Sequence, residues 1–492
     1  MRARGNPGGR RLSAEILCTV APGETRIALI EAGSAVEIFI ERHASPGVVG
    51  NIYLGRVSRM LTGMEAAFVE IGFERAGFLG LRRRRAAEDE EEEPPPPVTV
   101  HEGETVTVQV QRASQGGKGA GLTINLTLPG RYLVYAPKQN GIRISRRITD
   151  EAERARLADI MDGIADADEG FILRTAAAGA GMVDLESDAA YLRESWSALE
   201  ERSANAEAPA LIFEEPDPIV RVLRDRAHES LRRILIDDAE AFAAAKRYAA
   251  RFLPMIEPLL DHYTDDEPLF ERYGVEEAID LALSPKVELA CGGHLMIETT
   301  HALSAIDVNS GRHTGGVNLA ETLLETNLEA AVEIARQVRL RNLAGLIVID
   351  FIHMETEEHQ ARVLAALEGN LAGDPAFGRS TGFSDLGLVE ISRRRGREPL
   401  AEMLTGDCGR CQGAGRALTP LALAYRIARE AAREARQRPG GAITILARPQ
   451  VIEALRGEAG AALEALEASL GREVALEADR GYGAEQYDIV LD

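Results

Sequence analysis

The chain has 492 residues, enough for about three to four domains, and a hydrophobic fraction of 45% that suits sizeable cores. Its net charge of -22 argues against a surface that grips nucleic acid everywhere, while leaving room for a local basic face. Four cysteines (Cys18, Cys291, Cys408, Cys411) are too few for a secreted disulfide scaffold, and the start, MRARGNPGGRRLSAEIL, lacks an apolar leader core. No run approaches about 18 consecutive apolar residues, so the expectation is a cytoplasmic protein without a membrane span.

Residues 14–42 alternate as strands (EILCTV, TRIALI, AVEIFIE) around turns at Pro22-Gly23 and Gly33-Ser34. More strand pattern, broken by glycine, follows over 50–80. Arg82 to Arg85 and then AAEDEEEEPPPP to Pro97 cannot bury a core, so the block reads as a disordered, solvated loop. Strand pattern resumes at ETVTVQVQRA and GLTINLTL, which makes the block an insertion inside a β-domain. Residues 131–215 mix strands (RYLVYAP, GFILRTAA) with helices (ERARLADIMDGI, AAYLRESWSALEERS). Within 218–285, IVRVLRD reads as a strand and AEAFAAAKRYAARF as a helix. HLMIETT and ALSAIDVNSG are expected strands joined by a short turn. NLAETLLETNLEAAVEIARQVRLRN is a long amphipathic helix, with Leu324, Leu328, Ala331, Ala335 and Val338 at helical spacing. Gly345 then introduces a buried strand, LAGLIVIDF. After a loop holding CGRC at 408–411, a helix-rich tail ends in strand-like EVALEADR and YDIVLD. There is no tandem repeat, and the fold class is a multidomain α/β chain.

Asp307 and Asp350 each close a run of apolar strand residues, at the sheet edge where α/β folds bind ligands. A carboxylate there is costly unless it is paired or holds a cation. Two of them, joined by one helix, can converge on a magnesium ion, which accepts few carboxylates and keeps several waters. Asn309, on the same face as Asp307, can orient a water or phosphate, and Arg312 lies in the glycine-rich loop beyond. The competing reading is a pair of strand-end aspartates that cap the next turn.

The CxxC of Cys408 and Cys411, flanked by glycines, resembles a zinc knuckle more than a redox motif. It supplies two of four ligands; two chains each giving a CxxC could close the site, which implies a dimer, and otherwise these are two reduced thiols. Residues 50–126 suit an OB-type barrel that binds single strands by stacking bases above a basic groove. Phe68 and Phe78, with Tyr53 beside them, are either stacking platforms or barrel core. Arg56, Arg59, Arg112 and Lys118 are candidates for phosphate contact. Arg146 and Arg147 in ISRRI are further basic positions, and Arg174 with Thr175 sits among small residues. A guanidinium and a hydroxyl in a tight loop can grip a terminal phosphate, though solvated surface arginines are the commoner case.

These motifs, in this order, resemble the ribonuclease E/G family. GNIYLGRVSRMLTGMEAAFVEIGFERAGFL looks like the opening of that family's S-one type RNA-binding barrel. The ISRRI and LRTAAAG segments, AIDVNSG, TNLEAAVEIARQVRLRNLAGLIVIDFI, LGLVEISRRR and the CxxC follow. The match is most specific over 305–352 and loosest over the C-terminal 70 or so residues. The resemblance implies an RNase H-like subdomain split across 1–46 and 217–284, an OB-fold barrel at 47–126 with its acidic, Pro-rich loop at 82–97, and a 5′-sensor region at 127–216. It also implies a DNase I-like catalytic subdomain at 285–404, a zinc-link at 405–418 and a small C-terminal domain at 419–492. Asp307 and Asp350 match its magnesium ligands, with Asn309 as their polar partner. Arg174 and Thr175 match a 5′-monophosphate sensor lined by Gly130 and Val134. Phe68, Phe78 and Lys118 match RNA contacts, and Cys408 and Cys411 match zinc ligands shared between chains.

The implied activity is magnesium-dependent endonucleolytic cleavage of single-stranded RNA, such as rRNA precursors and mRNA, leaving a 5′-phosphate and a 3′-hydroxyl. The implied assembly is a homodimer or a dimer of dimers, from the branch without a degradosome-scaffold tail. Three departures stand out. FIHM replaces the usual FIDM, which puts His353 where the family has an acid close to the metal site. Gly409 replaces a proline in the CxxC, and 374–379 lacks a basic residue often found before LGLVE, although Arg379 is near. The alternative function is an RNA-binding protein of the same fold that no longer cuts, with His353 as its support. A structural protein unrelated to RNA draws only on the net charge.

Overall fold

The computed structural model describes residues 14–44, 47–81, 99–114, 119–226, 231–311, 319–406, 408, 411, 413, 415, 417–437 and 440–491. The acidic, Pro-rich loop, Lys118, Arg312 and Gly409 lie outside the described residues. The chain forms two compact units, residues 1–401 and 402–492. No helix among the described residues is long and apolar enough to cross a membrane.

The first unit opens with an antiparallel meander, β1 (Ala14–Ala21), β2 (Glu24–Glu31) and β3 (Ser34–Arg42). A barrel follows, built from β4 (Ile52–Leu61), β5 (Ala66–Glu70), β6 (Gly77–Gly80), β7 (Thr105–Arg112) and β8 (Gly121–Thr123). The strand order 4-5-6-8-7 closes through pairing of β4 with β7, an arrangement consistent with an OB-fold. Val57, Val69, Leu79, Val108 and Leu122 fill it. Closure needs Gly55, because a Cβ there would stand 2.5 Å from the Val69 side chain.

A third layer contains β9 (Leu128–Pro129), β10 (Leu133–Tyr135), β11 (Gly141–Ile144), α1 (Glu151–Asp162), β12 (Gly170–Leu173) and α2 (Met182–Asn205). Strand β13 (Ala210–Phe213) returns to the barrel and pairs with β4. The chain then re-enters the first sheet. Helix α3 (Pro218–Arg226) leads to β14 (Leu231–Ile236), α4 (Ala239–Phe252) and β15 (Leu260–His262), giving the order β15-β14-β1-β2-β3 with β14 parallel to β1. IVRVLRD, expected as a strand, is thus the helix α3. Its buried residues Ile219, Val222 and Leu223 recur at helical spacing, and this period outweighs the strand preference of the β-branched side chains.

Helices α5 (Leu269–Arg272) and α6 (Val275–Leu283) lead into a six-stranded sheet. It contains β16 (Lys286–Glu288), β17 (His294–Thr299), β18 (Leu303–Asn309), α7 (Leu319–Leu340), β19 (Gly345–Asp350), α8 (Glu357–Leu371), β20 (Phe377–Ser380) and β21 (Leu388–Arg393). Strands β18 and β19 are parallel, joined through α7. Ile306, Val308, Ile347 and Ile349 pack with Ala331, Ile334, Val338, Val363 and Leu367 of α7 and α8. Arg393 is buried beneath the sheet and donates to Asp374 at 2.6 Å, to the Asn342 side-chain oxygen at 2.7 Å and to the Leu343 carbonyl at 3.0 Å.

A buried ionic cluster joins the first sheet to α7. Glu37 on β3 is 1% exposed and accepts from Arg226 of α3 at 2.7 Å and Arg339 of α7 at 3.2 Å. Arg339 also forms two bonds to Glu31 on β2, at 3.0 and 2.7 Å. Arg397 reaches Glu37 at 3.7 Å and stacks 3.8 Å from the Phe39 ring centre. Burial alone would raise the Glu37 carboxyl, but the charges of Arg226, Arg339 and Arg397 hold it below its ordinary value.

The second unit contains α9 (Leu400–Leu404) at its boundary, then α10 (Pro420–Gln437), β22 (Ile443–Ala447), α11 (Pro449–Arg456), α12 (Gly460–Leu470), β23 (Val474–Ala478) and β24 (Tyr487–Leu491). The three strands, in the order β23-β22-β24, and the helices α10 to α12 share one core around Ile427, Ile445 and Leu455.

Because Glu37 is surrounded by arginines, Glu37→Gln leaves buried positive charge uncompensated and is expected to cost about 3 kcal/mol in urea unfolding at neutral pH. A carboxyl whose folded pKa is depressed stabilises above its unfolded pKa. The gap between wild type and variant is therefore full above pH about 4.5 and closes as the pH falls through the lower folded value. A gap that is constant down to acid pH would refute the assignment.

Candidate active site

Asp307 lies directly opposite Asp350 in the parallel pairing of β18 and β19. Residues paired in this way project to the same side of a sheet. Ser304, Ile306 and Val308 are buried, whereas Ala305 and Asp307 are exposed; Ile347 and Ile349 are buried, whereas Leu346 and Asp350 are exposed. Both carboxylates therefore stand on the face away from α7 and α8. Asn309, two residues along the same strand face, donates from Nδ2 to Oδ2 of Asp307 at 2.6 Å. Among the described residues, neither carboxylate accepts from a turn amide.

Past Asp350 the chain turns under the control of Asn327, a buried residue of α7. It donates to the Ile352 carbonyl at 2.7 Å and accepts from the Ile352 amide at 3.1 Å. This two-point clamp fixes the segment that carries His353, which is exposed. Sequence reading missed Asn327, because inside a helical pattern it looks like any polar position; the signal was its place on the helix's apolar side. Arg379 on β20 pairs with Ser392 and belongs to the edge strand of the same sheet.

On the barrel, the register sets a row across the strands. Arg59 pairs with Phe68, Phe68 with Phe78, Phe78 with Gly121, and Gly121 with Arg112. Phe78 is 37% exposed and Phe68 half-buried, with ring centres 6.1 Å apart at 74°. Neither is core, and an arginine stands at each end of the row. Arg56 is also exposed. Tyr53, expected beside the phenylalanines, is instead in the barrel core, edge-on to Phe73 at 5.4 Å. The strand alternation places it on the opposite side from the platform.

The third layer gathers Gly130, Val134, Arg174 and Thr175. Arg174 follows β12; its Nη1 donates to the Gly130 carbonyl at 2.6 Å and its Nη2 to Asp225 at 2.8 Å. The Thr175 hydroxyl is exposed and lies 3.1 Å from the Ser145 hydroxyl. Val134 is half-buried on β10, opposite Pro129 and Ile172. Asp188 of α2 accepts from the amides of Arg131, Tyr132 and Leu133 at 3.1, 2.8 and 2.9 Å. Burial raises the Asp188 carboxyl, and these amides partly offset the effect. Arg146 and Arg147 lie in the exposed turn after β11. Arg147 is engaged there, donating to the Pro375 and Phe377 carbonyls at 2.8 and 3.1 Å.

In the second unit, Cys408 is exposed and Cys411 half-buried. Among the described residues, no group of three or more His, Cys, Asp or Glu is arranged to hold a metal. An ion at the Asp307/Asp350 pair would draw on two carboxylates and complete its shell with water or substrate oxygen. That hard, oxygen-only donor set fits magnesium.

Two variants probe these surfaces. Phe78→Ala should leave thermal stability nearly unchanged, yet weaken single-stranded RNA binding by about 1–3 kcal/mol, the usual worth of one stacked base. A large loss of stability would mean that Phe78 is core. At Gly130 a Cβ would meet both Asp188 carboxylate oxygens at 2.6 Å. Gly130→Ala must therefore shift the turn that anchors Arg174, and thermal unfolding should show a loss of stability; an unchanged melting temperature would mean that the turn adjusts freely.

The family described as the ribonuclease E/G family matches residues 127–396, more than half of the chain. Ribonuclease G of Escherichia coli (strain K12) is 41% identical over 488 residues, covering 98% of this chain and 100% of that protein. Ribonuclease G of Haemophilus influenzae is 40% identical over 488 residues, covering 97% and 99%. Ribonuclease E of Nostoc sp. is 40% identical over 371 residues, covering 75% of this chain and 54% of that protein. With its sheet-borne aspartate pair and closed barrel, the chain belongs to the ribonuclease E/G family of endoribonucleases.

Proposed function

We propose that this enzyme is a magnesium-dependent endoribonuclease of the cytoplasm that cleaves single-stranded RNA, with rRNA precursors and mRNA as its substrate classes. The observation that carries this reading is Asp307 opposite Asp350 on an open sheet face. Asp307 and Asp350 would hold the ion. Bound there, magnesium supplies an activated water and offsets charge on the phosphorane oxygens. Asn309 fixes the Asp307 carboxylate through its 2.6 Å bond, so this ligand is preorganised. The Phe68/Phe78 pair stacks unpaired bases, and Arg59 and Arg112 meet the flanking phosphates. Duplex RNA, with its bases already stacked, gains nothing from such a platform.

Arg174 and Thr175 read the 5′ end. A guanidinium and a hydroxyl suit a monophosphate and have little to offer a 5′-hydroxyl. Cys408 and Cys411 provide two thiolates, and two chains together complete a tetrahedral zinc site, which makes the enzyme a homodimer or a dimer of dimers.

Cleavage of a short A/U-rich RNA is the test. Asp307→Asn and Asp350→Asn are each expected to lower kcat/KM by roughly a thousandfold, as loss of an ion's charge stabilisation implies. Chelation of magnesium should do the same. Variants that cut as fast as the wild type would overturn the reading. Tight RNA binding without any cleavage would instead favour a non-catalytic binder, with His353 as the reason. For the zinc site, metal analysis should find about one zinc per two chains. Absence of zinc, with an oligomer size indifferent to chelator, would remove the shared site.

A further inference from the structure

We infer that Asp225 is the positioning residue for the Arg174 guanidinium, and thereby sets how strongly the enzyme prefers a 5′-monophosphate over a 5′-hydroxyl end. The inference rests on the reading of Arg174 and Thr175 proposed above.

An arginine side chain has four freely turning bonds but a rigid, planar head with five N–H donors. Two anchors on different terminal nitrogens fix both the tilt and the rotation of that plane. In Arg174 these anchors are the Gly130 carbonyl on Nη1, at 2.6 Å, and the Asp225 carboxylate on Nη2, at 2.8 Å. Donors remain on the head for a ligand, and the side chain keeps 26% of its surface exposed beside the exposed Thr175.

Asp225 is itself held from behind. It accepts from Nε and Nη2 of Arg224, both at 3.2 Å. Arg224 is buried and donates to Glu215 at 3.0 Å and to the Pro129 carbonyl at 3.3 Å. Both residues belong to the last turn of α3, whose apolar side is locked into the first sheet by Ile219, Val222 and Leu223. The carboxylate is thus presented by the rigid scaffold and not by a loop. Burial would raise its pKa, but Arg224 and Arg174 hold it below the usual value, so it is charged at neutral pH. Glu215 takes up part of the Arg224 charge, so Asp225 can serve Arg174 as well, and the Arg174 head keeps donors for a phosphate.

The direction of the effect discriminates. A carboxylate that only competed with the RNA phosphate for Arg174 would, on removal, raise the preference for a monophosphate. A positioning carboxylate lowers it, because the freed guanidinium spreads over several rotamers and must be ordered again on binding.

The experiment measures kcat/KM with magnesium for one oligoribonucleotide carrying either a 5′-monophosphate or a 5′-hydroxyl, using wild type, Arg174→Lys, Asp225→Ala, Asp225→Asn and Asp225→Glu. The ratio between the two substrates cancels any general loss of folded enzyme. The expected result is a fall of about tenfold in that ratio for Asp225→Ala and Asp225→Asn, the worth of one charge-assisted hydrogen bond. The fall should reside mainly in KM for the monophosphate, with partial rescue by Asp225→Glu. If Asp225→Ala does not fold, the near-isosteric Asp225→Asn decides alone. An unchanged or raised ratio in the Asp225 variants, with the preference lost in Arg174→Lys, would overturn this inference and leave the sensor standing. A wild-type ratio near one, or a preference kept by Arg174→Lys, would overturn the sensor and this inference with it.

Discussion

Strands β18 and β19 pair in parallel with Asp307 opposite Asp350, and alternate residues of both strands are locked under α7 and α8. The side-chain period of a strand is two, so a slip of one residue would turn both carboxylates into the core and bring Ile306 and Ile349 to the surface. A buried, unpaired carboxylate is far costlier than the slip could repay. The register therefore places the aspartate pair, and the surrounding structure holds the register. Arg393, 2% exposed at the side chain, ties Asp374 to the Asn342–Leu343 turn that feeds β19. Asn327 clamps the chain where it leaves that strand.

Electrostatics are used in two distinct ways. The net charge of -22 suggests little affinity for RNA, yet six of the acids (88–93) fall in one short run. Many arginines are spent on internal ties. Arg226, Arg339 and Arg397 converge on Glu37, Arg224 on Glu215 and Asp225, and Arg147 on backbone carbonyls. Those left at the surface beside aromatics, Arg59 and Arg112, carry the local basic face. Affinity for a polyanion follows from that local arrangement and not from the sum.

Much of this was legible in the sequence. Apolar alternation gave the meander, the barrel strands and the two strands with the aspartates, and helical spacing gave α7. The strand LAGLIVIDF, expected to be buried, has one exposed face with Leu346 and Asp350, and two further readings failed because periodicity in a short window is ambiguous. IVRVLRD is rich in β-branched residues, but only seven residues long, and its tertiary contacts made it helical. Tyr53 lies in a strand whose inward side could not be told from the sequence alone, and it proved to be core. Glu37, Asp188, Asp225 and Asn327 were invisible as site residues. Their partners are distant in sequence: Asp225 lies 51 residues from Arg174, and Glu37 lies 302 from Arg339. No local pattern encodes such pairings.

The first unit also joins the layer that carries Arg174 and Thr175 to its aspartate sheet by backbone as well as by side chain. The Thr175 hydroxyl contacts Ser145, the Ser145 hydroxyl accepts from the Arg147 amide at 3.3 Å, and Arg147 donates to the carbonyls at the start of β20. Carbonyls at an edge strand cannot move without disturbing the ladder, and β20 is paired to β21, which in turn pairs with β19 and Asp350. An interaction that ordered Thr175 would thus be felt along a path of short, directional bonds. Energetic coupling along it would require an element with two arrangements that both ends bias. What the path does fix is distance. With the Thr175 turn and the Asp307/Asp350 sheet sharing one bonded frame, the separation between these two places is set by the protein.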